Sequence, residues 1–145
     1  MDWKNTMTRL GYRISEPRKK IMEVLEGAEV AFSPQQIHQQ LEHKGFDIGL
    51  VSVYRTLDLL TSLELVTVVY DPERNAGYVL SSTGHHHHII CQKCHKAMEF
   101  SGTDDIEELI HRVEAETSFQ VRDHLLQLFG ICPECLSKLN DRGEK

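Results

Sequence analysis

The residues predict an α+β chain in two parts: an N-terminal winged helix-turn-helix, then a small α+β dimerisation domain with a four-cysteine zinc site. Three observations carry this. Apolar residues recur at helical spacing as far as Leu63 and then give way to a hairpin pattern. A small polar stretch, Ser81, Ser82, Thr83 and Gly84, reads as a hinge. Beyond it, two C-x2-C pairs, Cys91/Cys94 and Cys132/Cys135, account for every cysteine in the chain. The predicted boundaries are 1–80 for the winged helix, 81–84 for the hinge and 85–145 for the dimerisation and metal-binding domain.

The elements follow in order. Trp3, Met7 and Leu10 space out a short helix over 2–11. Ser15 with Pro17 opens a second helix, whose apolar stripe is Ile21, Val24 and Leu25 and whose end is marked by Gly27. Ser33-Pro34-Gln35-Gln36 combines an N-cap, a proline at the first helical position and a Gln that completes a capping box, ahead of Ile37 and Leu41. After a turn over 44–47, residues 49–63 form a fourth helix with Val53, Leu57 and Leu60 on one face. Val66 to Tyr70 and Tyr78 to Leu80 are β-rich runs around the turn-forming segment 71–77, which makes a hairpin. Helices followed by a hairpin make a winged helix, in which the helix before the wing enters the major groove.

That helix spans 52–63, and its outward residues Ser52, Tyr54 and Arg55 are the candidate DNA contacts, with Arg18 and its basic neighbours on phosphates. A second reading stays open: Tyr54 caps the core edge, and Arg55 pairs with Asp58 or Glu64 on a solvated face. Charge favours a local contact. The net charge is −6, which excludes a broadly cationic, nucleic-acid-coated surface, yet residues 4–20 carry a local +5 and residues 81–145 a local −4.

In the second part, residues 84–100 read GHHHHIICQKCHKAMEF. A strand over 85–91 would send His86 and His88 to one face and His85 and His87 to the other, so one strand can feed two metal sites. A mid-chain run that leads directly into Cys91 argues against an expression tag. Cys132 follows Cys94 by 38 positions. A folded segment therefore lies between the two knuckles, and four thiolates make a closed, structural zinc site. Disulfides are the alternative, disfavoured because neither a secretory signal nor a membrane-spanning run is present. The remaining elements are a strand over 97–100, an amphipathic helix from Asp104-Asp105 through Val113, strands over 119–121 and 125–131, and a closing helix over 133–139. The apolar strands exceed the needs of one such unit, which predicts pairing with another copy.

Taken together, 52–57 (SVYRTL), the histidine run with Cys91 and Cys94, Glu99-Phe100, and His124 with Gly130-Ile131-Cys132-x2-Cys135 resemble the ferric uptake regulator family of bacterial metal-dependent repressors. The resemblance covers nearly the whole chain. It implies a cytoplasmic homodimer that is not an enzyme and spans no membrane. Such a protein binds AT-rich inverted repeats in double-stranded DNA and controls metal uptake and homeostasis genes in response to iron or zinc. It implies structural Zn2+ at Cys91, Cys94, Cys132 and Cys135, and a second divalent metal, Fe2+ or Zn2+, as the regulatory ion. A dimerisation-domain site maps to His85, His87, Glu107 and His124. The interdomain sensing site maps to His86, His88 and Glu99, and two of the family's ligand positions fall on Ala31 and Val79, which cannot ligate. Nearby substitutes are Glu29, His38 and His43, and His111 lies one helical turn from Glu107; solvated roles for all four, and for His95, are the simpler reading. Two rivals remain: a peroxide-sensing iron repressor of the same family, and a zinc hydrolase with Glu99 or Glu107 as base.

Overall fold

The computed structural model describes residues 2–82, 86–102 and 105–141. Four helices come first: α1 (Trp3–Arg9), α2 (Glu16–Glu26), α3 (Pro34–His43) and α4 (Leu50–Ser62). The strands β1 (Val66–Tyr70) and β2 (Ala76–Leu80) form the wing. Then come β3 (His86–Cys91), β4 (Ala97–Ser101), α5 (Asp105–Thr117), β5 (Gln127–Gly130) and α6 (Pro133–Asp141).

Local chemistry explains the helix starts. Asp2 caps α1 by accepting from the Asn5 amide, and Pro17 sits in the first turn of α2. At α3 the capping box forms in both directions: the Gln36 amide donates to Ser33 Oγ at 3.1 Å, and the Ser33 amide donates to Gln36 Oε1 at 2.9 Å. The apolar stripes of the four helices then meet. Met7, Ile21, Met22, Ile37, Leu41, Val53, Leu57 and Leu60 are fully buried, closed below by Val66 of the wing. Trp3 is buried at the edge of this core, its indole N–H donating to Glu26.

The wing is a regular antiparallel pair, from Val66↔Leu80 to Tyr70↔Ala76, so its return strand starts two residues before the predicted Tyr78. Asp71 closes the turn: its carboxylate accepts from the amides of Glu73 and Asn75. Segment 30–32 then crosses between wing and zinc knuckle. Phe32 bridges to Tyr78 and Val30 to Lys96, and the Ala97 amide donates to the Glu29 carbonyl at 2.9 Å. Gly77 is required here, because a Cβ on it would lie 2.8 Å from the Ala31 Cβ.

The second sheet has order β4-β3-β5, antiparallel between β3 and β4 and parallel between β3 and β5. Two expectations change. Residues 119–121 form no strand, and the strand predicted over 125–131 is confined to Gln127–Gly130. Pairing with β3 begins only at His88↔Gln127, so the apolar residues ahead of it have no neighbouring strand among the described residues; Phe119 is 74% and Leu125 76% exposed. Among the described residues the second half adds only Ile90 and Cys91 to the buried apolar set. At the predicted hinge, the Ser81 amide donates to the Leu65 carbonyl and the Ser82 amide to Glu99 Oε1. Thr83, Gly84, His85 and Asp104 lie outside the described residues.

Candidate metal centre

The β3–β5 register builds the cysteine cluster. Cys91 pairs with Gly130, which places Cys132 two residues past the end of the ladder, and Cys135 follows in the first turn of α6. Cys94 arrives through the tight turn after β3, where the His95 amide donates back to the Cys91 carbonyl and His95 takes φ 65°. All four sulfurs lie within 4.8 Å of one another, and Cys94 and Cys132 are 3.7 Å apart. Zinc bonded to sulfur at ~2.3 Å in a tetrahedron separates its ligands by about 3.8 Å, so the cluster fits the ion. All four cysteines are free thiols, so the disulfide alternative is not formed.

The sulfurs are also electrostatically prepared. Burial pushes the Cys91 thiol up, but backbone N–H groups of Cys94, Cys132 and Lys93 oppose it and bring the thiol down to about 6. Cys135 moves the other way, pushed up to about 12, first by its hydrogen bond with Cys132 and then by burial. One ready thiolate beside reluctant thiols is the arrangement a divalent cation resolves, because each ligating sulfur must release its proton.

The histidine strand divides as alternation requires. His87 faces His124 with ring centroids 5.4 Å apart, and the Phe100 ring lies 5.7 Å from it. With metal–nitrogen bonds of ~2.0–2.1 Å, two imidazoles at this separation can share one ion. Glu107 is exposed on α5, and among the described residues it joins no converging ligand group; His85 lies outside them. On the opposite face, His88 pairs with Glu99 across the ladder, Nε2 to Oε1 at 3.8 Å. Burial, outweighing the pull of Glu99, holds His88 below the usual histidine range. Burial would raise Glu99, but the hydrogen bonds from Ser82 hold it low. A neutral imidazole beside an ionised carboxylate is the protonation state that binds metal. His86 lines the same groove, of about 810 Å³, as His88 and Glu99.

The two positions that the resemblance assigns to further ligands, Ala31 and Val79, carry no donor side chain. Ala31 lies against Gly77, and Val79 lines a cavity of about 220 Å³ together with Glu29, His88 and Glu99. His38 is 3.5 Å from Glu42 on its own helix, and His43 and His111 are exposed. Of the substitutes, only Glu29 reaches the cavity of the sensing pair.

On α4, Ser52, Tyr54 and Arg55 are exposed, Tyr54 by 41%. Among the described residues no ion pair joins Arg55 to Asp58 or Glu64. Arg18 reaches the Arg13 carbonyl at 2.6 Å. Two neighbours escaped the sequence reading. Val51 is 63% exposed at the start of α4, and Gln35 Nε2 donates to the Tyr54 hydroxyl at 2.9 Å. An apolar residue off the Val53/Leu57/Leu60 stripe was the available signal for Val51. Nothing in the sequence points to the Gln35 contact.

A winged helix joined to a sheet that carries a four-sulfur centre and a two-faced histidine strand defines a metal-binding regulator of the winged-helix class. The sequence model of the ferric uptake regulator family matches residues 9–129. The ferric uptake regulation protein of Campylobacter upsaliensis is 30% identical over 138 residues, covering 94% of this chain and 88% of that protein. The solved ferric uptake regulator of Vibrio cholerae is 31% identical, with a TM-score of 0.59 over 90% of this chain and all (100%) of that one. A zinc uptake regulator complexed with zinc and DNA reaches a TM-score of 0.78 over 94% of this chain and 92% of its own, at 20% identity, a likeness of fold alone. The chain belongs to the ferric uptake regulator family: it is a metal-responsive transcriptional regulator and not an enzyme. Helix α1 lies almost wholly ahead of the matched region, yet it supplies Trp3 and Met7 to the core.

Proposed function

We propose that this chain is a cytoplasmic homodimeric repressor that binds AT-rich inverted-repeat operators of metal-uptake genes when its regulatory site holds Fe2+ or Zn2+. Cys91, Cys94, Cys132 and Cys135 hold the structural Zn2+; His87 and His124, with His85 and Glu107, form one further site, and His86, His88 and Glu99 the sensing site. The single observation that carries the reading is the division of β3, with His87 turned to His124 and His88 to Glu99 on a sheet that backs directly onto the wing. A bound ion there would supply a cross-link between strands and loop. The protein's part is to keep His88 neutral, Glu99 ionised and the wing in register.

The exposed face of α4 supports the DNA contact. Arg55 suits a guanine edge, and Val51 and Tyr54 suit thymine methyl groups, while Arg18 and the basic stretch over 4–20 suit phosphates. The exposed apolar residues Met98, Leu128 and Leu136 support burial against a second copy. In fluorescence anisotropy on an inverted-repeat duplex, Arg55→Ala should cost about 1–3 kcal/mol of affinity and relax specificity at one base pair. Unchanged affinity and unchanged sequence preference in Arg55→Ala and Tyr54→Ala would remove α4 from the DNA.

A further inference from the structure

Gln127 is the first residue of β5, the ladder partner of His88, and three positions after His124. Its side chain leaves the second sheet altogether. The Tyr70 amide donates to Gln127 Oε1 at 2.9 Å, and Gln127 Nε2 donates to the Tyr70 carbonyl at 2.7 Å. One carboxamide thus satisfies both backbone groups of the last residue of β1, as a neighbouring strand would, and only one orientation of the amide does so. Both bonds are partly buried, where an unmade partner is costly. Two residues along, on the same face of β5, Phe129 lies under the Arg74 guanidinium, 4.3 Å from the ring centroid. Thr67 to Val69 of the wing, the histidines of β3, His124 and Gln127 line one cleft of about 180 Å³.

We infer that Gln127 is the positioning residue that transmits the state of the His87/His124 pair to the wing, and through the wing to α4. Drawing His124 toward His87 fixes the strandless segment that leads into β5. That segment sets the depth of Gln127, which grips the wing at Tyr70 next to the turn Asp71 closes. The contact crosses between the halves through Tyr70 and Gln127, neither of which is Ala31 or Val79, so it supplies a coupling route that needs neither missing ligand. The inference rests on the metal-responsive reading above, and coupling of this kind is reciprocal: if metal tightens DNA binding, DNA tightens metal binding by the same factor.

The test uses the full-length dimer, Zn2+ as the metal, and an inverted-repeat duplex selected in vitro with the wild-type protein. Zinc affinity is measured by competition with a fluorescent chelator, with and without the duplex, for wild type, Gln127→Met and Gln127→Glu. The methionine keeps the volume and loses both bonds; the glutamate keeps the acceptor, which guards against a variant that fails to fold. Zinc affinity without DNA should be unchanged in both variants, while the DNA-induced tightening shrinks at least about five-fold. A purely structural peg would lower the melting temperature and leave the tightening intact, and that result overturns the inference alone. Absence of tightening in wild type overturns the metal-responsive reading, and the inference with it.

Discussion

Among single residues, Asp71 shows how a charge can be tied to one turn. Burial would raise its carboxyl, but hydrogen bonds from the amide and side chain of Asn75 and from the Glu73 amide hold it below the ordinary 3.8. A depressed carboxyl contributes stability that is fully present above about 3.8 and is lost as pH falls through the folded-state value. Urea melts of wild type should therefore weaken below pH ~4 more steeply than those of Asp71→Asn, whose amide does not titrate in this range. Parallel acid limbs would show that Asp71 is not held low. The cysteines make the same point about chemistry written in residue types. Spacing alone names the cluster, whereas the division between a lowered Cys91 and a raised Cys135 depends on which backbone amides face each sulfur, and that is a property of the folded knuckle.

Among elements, much was legible because the signals are local. Ser33 and Gln36 sit three residues apart and close their box regardless of context, and the stripe of Val53, Leu57 and Leu60 turns inward as its period requires. Contacts between distant segments were not legible. Tyr70 and Gln127 meet across 57 positions through side-chain atoms on one partner and backbone on the other, and no periodicity encodes such a pair. The error at 119–121 has a related cause: apolar content alone does not say what covers it, and among the described residues no strand pairs with this segment. Segment 30–32 is closely fitted to the wing at Gly77. Gly77→Ala would drive a Cβ to within 2.8 Å of Ala31 and should cost about 1–3 kcal/mol in thermal or urea unfolding. Adding Ala31→Gly should restore most of the loss; a double variant as unstable as the single one would place the cost elsewhere.

For the whole molecule, among the described residues the winged-helix half holds almost all of the buried apolar residues, and the ties to the metal-bearing half include the Val30–Lys96 bridge, the Ser82–Glu99 bond, the Gln127–Tyr70 grip and the Arg74–Phe129 contact. The second half thus adds little buried apolar surface of its own, and the four-sulfur centre and these ties are what hold its small sheet in place. The histidines of β3 and His124 share a cleft with Thr67 to Val69 of the wing. Metal occupancy and DNA affinity should accordingly be separable in stages. The most direct measurement is elemental analysis per chain during graded chelation, with duplex binding followed by anisotropy at each stage. One zinc per chain should resist mild chelation, held by Cys91, Cys94, Cys132 and Cys135, and DNA affinity should fall at least about ten-fold as a second, labile metal leaves. DNA binding that persists undiminished with only the four-cysteine zinc present would contradict the account.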